Sequence, residues 1–319
     1  MGMNKVTKMI SVVMITYNHE KYIEKAIESV LMQEGDFEFE LLIGNDKSPD
    51  NTEKILEKYK DNKRIKIFNR EKNLGATENI YDLYLKSKGD YIAILEGDDY
   101  WITKDKLQKQ LEILEKNKDG ILCYTNSIVV DENNNKFDGK TVGTMCITNL
   151  NSLLINAGRI PTGTILYKNL YKEKDKMEKV NKLLHSSEII SDLSLFAVLI
   201  KKGKFYKLNE YTGAYRYITD SKKSTSYSSR STLYKEKELY KVYKGIAEYY
   251  EMKRLKKFFF VGRKEYRLLK EIKKTSERSE EYLVEERVFN NKLKKFIYIL
   301  FSPLDNLFWS LNKKKYRKW

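Results

Sequence analysis

The chain opens on MISVVMITYN (9–18), an unbroken apolar run that ends in polar residues. A short run without alternation fits a strand buried on both faces, the kind found in parallel sheets. Residues 19–33 then place Tyr22, Ile23, Ala26, Ile27, Val30 and Leu31 at helical spacing. The same alternation recurs. Strands are expected at 37–46, 64–70, 90–99 and 120–130, and helices at 48–61, 75–89 and 104–117. Strand and helix alternating through short connections predict an α/β fold with a mainly parallel sheet. In such sheets a ligand lies beyond the carboxyl ends of the strands. Those ends here are Thr16-Tyr17-Asn18, Asn45-Asp46, Asn69-Arg70 and Glu96-Gly97-Asp98-Asp99. They are expected to converge on one crevice.

From 131 onward the pattern loosens. Residues 161–170 read as a turn and a strand, 187–203 as an amphipathic helix stopped by Gly203, and 204–218 as strand-rich. A polar loop (219–231) leads into basic helices that run to about residue 295. The expected division is a catalytic domain over 1–220 and a basic helical region over 221–319.

Composition sharpens this division. With 319 residues, 41% of them hydrophobic, the chain can bury a full core. Its net charge of +16 is uneven: residues 231–319 carry 24 Lys and Arg against 12 Asp and Glu, the first 230 carry 37 against 33. The basic excess therefore belongs to the C-terminal third and suits an anionic membrane surface or another polyanion. No nucleic-acid reading motif accompanies it, so nucleic acid is not expected as a partner. FIYILFSPLDNLFWSL (296–311) lies between basic clusters but is broken by Pro303 and Asp305. It is too short to span a bilayer, and its Phe296, Tyr298, Phe301, Phe308 and Trp309 suit a headgroup interface. Packing on the first domain, or on a second copy in a homo-oligomer, is the alternative. The N-terminus lacks a signal-peptide core, because Thr7 and Lys8 interrupt it. Cys123 and Cys146 sit in no metal spacing and are expected to be buried, reduced thiols. A cytoplasmic protein, peripheral on the inner face of the plasma membrane, is the expected setting.

AILEGDDYW (93–101) carries the chemistry. A hydrophobic strand ends in Glu96, Asp98 and Asp99, with Tyr100 and Trp101 directly after. Carboxylates this close repel and tend to protonate unless a metal ion or basic side chains compensate them. Three acids also exceed what capping the following helix requires.

SVVMITYNHEKYIEKAIESVLMQ resembles the opening of the family 2 glycosyltransferases. GNDKSPDNT is similar to the Asp-Asp-Gly-Ser end of that family's second strand, with Asn45 replacing the first Asp. NLGATENI resembles its Asn-x-Gly segment, through Asn73, Gly75 and Asn79, and GDYIAILEGDDYW its acidic strand end. The motifs follow in family order over roughly residues 9–220. The resemblance implies a GT-A fold, a nucleotide-binding mixed sheet flanked by helices, here with an α-helical C-terminal extension. It implies an inverting transferase that uses a nucleotide-sugar, UDP-linked, with Mn2+ or Mg2+. The acceptor would be a saccharide or lipid-linked saccharide in surface-polysaccharide assembly.

The resemblance also implies roles. Tyr17 would face the nucleobase, Ile15 and Thr16 supply backbone contacts, Asp46 bond the base, and Asn73 and Gly75 shape the nucleotide pocket. Asp98 would touch the donor ribose or the metal shell and Asp99 the metal; Glu96 is longer than the Asp usual there. A hard divalent cation on carboxylate oxygen suits a diphosphate leaving group whose charge grows as the bond breaks. EIISDLSLF resembles the family's general-base segment, with Asp192 the match and Glu188 the runner-up. PTGT (161–164) falls where the family lines its acceptor pocket. Blander readings stand beside these. Tyr17 could be packing, Asp46 a cap for the helix near 51, Asn73 and Gly75 a turn, and Ser191 or Asp192 a helix cap. His19 and His185 fit no metal spacing and read as satisfied or exposed. Where relatives carry a His after a Tyr-Arg strand, this chain has Ile218 and Thr219; Arg216, Lys222 or Lys223 could supply positive charge instead. The rival function is a non-catalytic polyanion-binding protein.

Overall fold

A computed structural model describes residues 7–143, 146–155, 160–172, 177–218 and 230–254, together with 257, 260–262, 264, 265, 267, 268 and 271. Lys222, Lys223, nearly all of the 219–231 loop and the 296–319 segment lie outside the described residues. The chain divides into two compact units, residues 1–224 and 225–319.

In the first unit the elements are β1 (Lys8–Thr16), α1 (Ile23–Leu31), β2 (Phe37–Asn45), α2 (Thr52–Leu56), β3 (Ile65–Asn69), α3 (Ala76–Lys86), β4 (Tyr91–Ile94), β5 (Tyr100–Trp101), α4 (Lys106–Lys116) and β6 (Gly120–Val130). They continue with β7 (Lys136–Val142), α5 (Leu150–Ile155), β8 (Leu166–Lys168), α6 (Glu178–Leu184), α7 (Ser191–Lys202) and β9 (Lys204–Arg216). One sheet runs β3-β2-β1-β4-β8-β6-β9-β5, with β7 beside β6. Strands β3, β2, β1 and β4 are parallel, in the order expected for an α/β unit. The antiparallel β8 then joins β4 to β6, making the sheet mixed.

The β1 run is buried on both faces, as its unbroken hydrophobicity requires. Ile10, Val12 and Met14 share a core with Ile23 and Ile27 of α1 and with Leu41 and Ile43 of β2. Trp101, Leu107 and Leu111 close the same cluster.

Three departures from the sequence-based expectation bear on the strand ends. Helix α1 starts at Ile23, not at 19, because Asn18 takes a φ of +62° and turns the chain. Residues 48–61 give only the short α2 and a 3-10 turn over Glu57–Tyr59. Strand β4 stops at Ile94, and the acidic residues leave it as a turn in which the Asp99 amide donates to the Glu96 carbonyl (3.1 Å). Gathered carboxylates favour a turn over a strand centre, since they can fan away from one another.

In the second unit α8 (Thr232–Tyr249) is capped by Ser231, whose hydroxyl accepts from the Tyr234 amide at 3.3 Å. Among the described residues no helix is long and apolar enough to cross a membrane.

Candidate active site

The C-terminal ends of β1, β2 and β3 lie side by side, since Thr16, Asn45 and Asn69 are register partners, and β4 ends beside Val13 of β1. Asn45 donates to the Asn69 side chain at 3.0 Å, which locks the two strand ends together. Tyr17 follows β1 half-buried at this rim. The carbonyls of Ile15 and Thr16 accept from the amides of Gly97 (3.0 Å) and Asp46 (2.9 Å), tying the acidic turn and the β2 end to β1.

Asp46 is buried, and its carboxylate accepts from the amides of Leu74 (2.7 Å) and Gly75 (2.9 Å). It therefore organises the 73–75 loop and does not cap α2. Asn73 accepts from the same Gly75 amide at 3.0 Å. Gly75 has φ +84° with open space around it, so backbone conformation and not crowding calls for glycine. Asn79 donates to the Gly44 carbonyl (2.9 Å) and accepts from Arg70 Nε (3.0 Å), while Arg70 also pairs with Asp82. Arg70 is thereby fixed at the β3 end, a position that its place after an apolar strand signalled but did not explain.

The acids gather as the sequence suggested. Asp99 is buried, and Glu96 and Asp98 are half-buried. Burial pushes the Glu96 carboxyl up to about 8, with Asp98 and Asp192 adding to the rise. Burial, Asp98 and Glu96 hold Asp99 well above the usual carboxylate range, against the pull of Arg216. Asp192, in the first turn of α7, is also raised by burial, and its carboxylate accepts from the Leu193 amide at 2.7 Å. The charge of Asp192 is felt at Glu96. The bridge is α3: Thr77 bonds the Ser187 carbonyl through its hydroxyl (2.9 Å) and the Glu188 carbonyl through its amide (3.3 Å). Glu188 itself is exposed, and the acidic turn feels Asp192.

Arg216 has a different post from the one considered above. Its amide donates to Asp99 Oδ1 (2.7 Å), and its guanidinium to the carbonyls of Asp98 (2.8 Å) and Asp131 (2.6 Å) and to Asn134 Oδ1 (2.8 Å). The guanidinium also lies 4.2 Å from the Tyr22 ring centroid. It is a buried clamp on the acidic turn, with each of its nitrogens committed to protein. The adjacent Tyr215 is raised by burial and by the charges of Asp99, Glu96 and Asp98, which puts it beside the same acids. On the opposite flank Trp101 Nε1 donates to the Gly163 carbonyl (2.6 Å), so PTGT is held against the turn. A Cβ on Gly163 would stand 3.7 Å from Asp99 Oδ2. Behind them the fully buried Lys106 sits 4.3 Å from the Trp101 ring centroid and donates to Gln110. Burial lowers its pKa to about 7.

The histidines part company. His185 is satisfied, through the Asn181 carbonyl (2.8 Å) and Glu78 (3.3 Å). His19 is not: its Nε2 stands 3.9 Å from Asp98 Oδ2 and its buried Nδ1 has no partner. The thiols also differ, with Cys123 buried but Cys146 exposed. Chain position could have drawn attention to His19, which follows a strand end; nothing in the sequence marked Arg216 as a clamp or Tyr215 as a neighbour of the acids.

The donor set can be tested against a divalent cation. One Asp99 oxygen is taken by the Arg216 amide, which leaves Oδ2 free to meet a cation. Among the described residues no three His, Cys, Asp or Glu side chains stand together as a metal-binding group. One or two carboxylates completed by substrate phosphates is the usual arrangement for Mg2+, and this acid excess fits it.

The family model described as glycosyl transferase family 2 matches residues 11–177, a span that takes in the acidic turn but stops short of Asp192. The chain is 28% identical over 255 residues to the putative teichuronic acid biosynthesis glycosyltransferase TuaG of Bacillus subtilis, covering 77% of this chain and 91% of the relative. It is 38% identical over 151 residues to the UDP-Glc:alpha-D-GlcNAc-diphosphoundecaprenol beta-1,3-glucosyltransferase WfgD of Escherichia coli, 47% of this chain and 56% of the relative. Other curated relatives are matched over only 34% of their own length. The crystal structure of Staphylococcus aureus TarS 1–349 in complex with UDP superposes with a TM-score of 0.57 at 19% identity, over 83% of this chain and 70% of that one. The fold is thus the GT-A fold, as the sequence resemblance implied.

Proposed function

Because the chain belongs to glycosyltransferase family 2, we propose that it transfers a sugar from a nucleotide-sugar, UDP-linked, to a saccharide or lipid-linked saccharide acceptor in surface-polysaccharide synthesis. The observation that carries this reading is the acidic turn beside the strand ends, with Asp99 buried and bonded by the Arg216 amide, while α3 holds the segment before Asp192 through the bonds of Thr77. WfgD, by its name, acts on a diphosphoundecaprenol-linked sugar with UDP-glucose, and TarS has been crystallised with UDP-GlcNAc. Both support a UDP-sugar donor, and the first supports a lipid-linked acceptor.

In this reading Tyr17 packs on the base, the Asp46-ordered loop at Asn73 and Gly75 borders it, and Ile15 and Thr16 line the β1 end. Asp98 meets the donor ribose. Asp99 and its neighbours hold Mn2+ or Mg2+, and a bound cation would neutralise the charge growing on the diphosphate. Asp192 takes the proton of the acceptor hydroxyl as that oxygen bonds the anomeric carbon and the bond to the diphosphate breaks, with inversion. Burial raises Asp192, which strengthens it as a base. The basic C-terminal region would hold the enzyme at an anionic membrane face, where lipid-linked acceptors reside.

A screen of UDP-sugars for donor hydrolysis, with and without Mn2+, tests the proposal. One donor should be cleaved to UDP in a Mn2+-dependent manner by the full chain and not by Asp99→Asn. No cleavage and no UDP binding by the full chain would sink it.

A further inference from the structure

His19 lies outside every role assigned above, yet its backbone is pinned on both sides. Its amide donates to Thr52 Oγ1 (3.1 Å), and its carbonyl accepts from the amides of Tyr22 and Ile23 (2.9 Å each) just before α1. The imidazole is therefore carried on a fixed Cα. Its Nε2 faces Asp98 Oδ2 at 3.9 Å, both side chains being less than one-fifth exposed. Its Nδ1 and the hydroxyl of Thr16, a residue only 2% exposed, are buried without partners. Both atoms crowd Gly97: a Cβ there would stand 2.8 Å from Thr16 Oγ1 and 2.9 Å from His19 Nδ1. The acidic turn thus passes so close to His19 and Thr16 that only glycine fits between them.

The contacts close a ring. The His19 and Tyr22 rings are tilted at 6.4 Å, the Arg216 guanidinium lies on Tyr22, and Arg216 Nε holds the Asp98 carbonyl. Arg216 fixes the backbone of Asp98 and leaves its carboxylate to be oriented by something else. His19 is the side chain facing it. Buried polar atoms in native proteins are nearly always paired, and each exception calls for an explanation. Two such orphans, Thr16 Oγ1 and His19 Nδ1, stand together here at the end of β1.

We infer that His19 is a positioning residue of the donor site, its Nε2–H orienting the Asp98 carboxylate for the bound nucleotide. The inference rests on the donor reading given above and adds a residue to it. Removing an outer-shell partner of a metal ligand typically costs roughly 10- to 100-fold in metal affinity or activity, and a loss of that order is expected for a partner that orients Asp98 on the donor.

The test is UDP titration of the full chain by calorimetry in Mn2+, with thermal melting of each variant alongside. His19→Ala should raise the UDP Kd by roughly 10-fold or more with an unchanged melting temperature. In donor hydrolysis the same loss should fall on KM and leave kcat nearly intact. Gln carries its amide nitrogen where Nε2 sits and Asn where Nδ1 sits. His19→Gln should therefore restore Kd to within about 3-fold of wild type, and His19→Asn should resemble His19→Ala. Unchanged UDP binding in His19→Ala overturns the inference while leaving the transferase reading intact. So does a loss shared equally by Gln and Asn together with a lowered melting temperature, which marks a packing role. A wild-type chain that binds no UDP overturns both.

Discussion

The Glu96→Gln substitution tests the electrostatics of the acidic turn without any ligand. Burial and the charges of Asp98 and Asp192 raise Glu96 from an ordinary 4.5 to about 8. Between these two values the folded protein holds a proton that the unfolded chain has released. The folded state binds more protons there, so stability is fully present below about pH 4.5 and declines as pH rises toward about 8. At about 1.4 kcal/mol per pH unit, the upper bound on that decline is about 5 kcal/mol. Glu96 is half-buried, and solvent screening reduces the figure to about 2–4 kcal/mol. Glutamine keeps the shape and cannot ionise. Urea unfolding in chelator, followed by circular dichroism from about pH 5 to about pH 8, should show wild type losing about 2–4 kcal/mol more than Glu96→Gln across the window. Above pH 8 the variant should be the more stable protein. Parallel stability curves would refute the reasoning, because they would mean that Glu96 titrates alike in the folded and unfolded states.

Asp192→Asn should leave UDP affinity nearly intact and lower turnover by roughly 10²–10⁴, the span for removal of a general base; if Glu188→Gln abolishes transfer and Asp192→Asn does not, the base is misassigned. Asp99→Asn should keep the fold and lose the Mn2+-dependent part of UDP binding, read by calorimetry with and without the metal. Gly75→Ala should cost about 1–3 kcal/mol in thermal or urea unfolding, since φ +84° with ψ 159° is a backbone region essentially confined to glycine while no neighbour is struck. The full chain should co-sediment with anionic vesicles, less so as salt rises, and a chain ending near residue 295 should bind them much less while keeping its UDP affinity; equal sedimentation of the two would favour a packing or oligomer role.

Much of the first unit follows from sequence alone. The strands β1, β2, β3 and β6 and the helices α3 and α4 fall within a few residues of where apolar runs and helical periods put them, because these signals are local and each element buries a face of its own. The acidic cluster was also legible, though as a strand end and not as the turn it forms, since three carboxylates crowded after an apolar strand repel one another and exceed the needs of a helix cap. What the tertiary structure alone decided is how side chains distant in sequence share that turn. Arg216 reaches Asp99 across 117 positions, and Asp192 arrives through a bridge from Thr77 to the segment before α7. His19, which read as satisfied or exposed, is brought beside Gly97 by the turn at the left-handed Asn18. Periodicity fixes which face of an element is buried; it carries no information on which groups from other elements will converge there, because those contacts arise only when the sheet order brings the strand ends together.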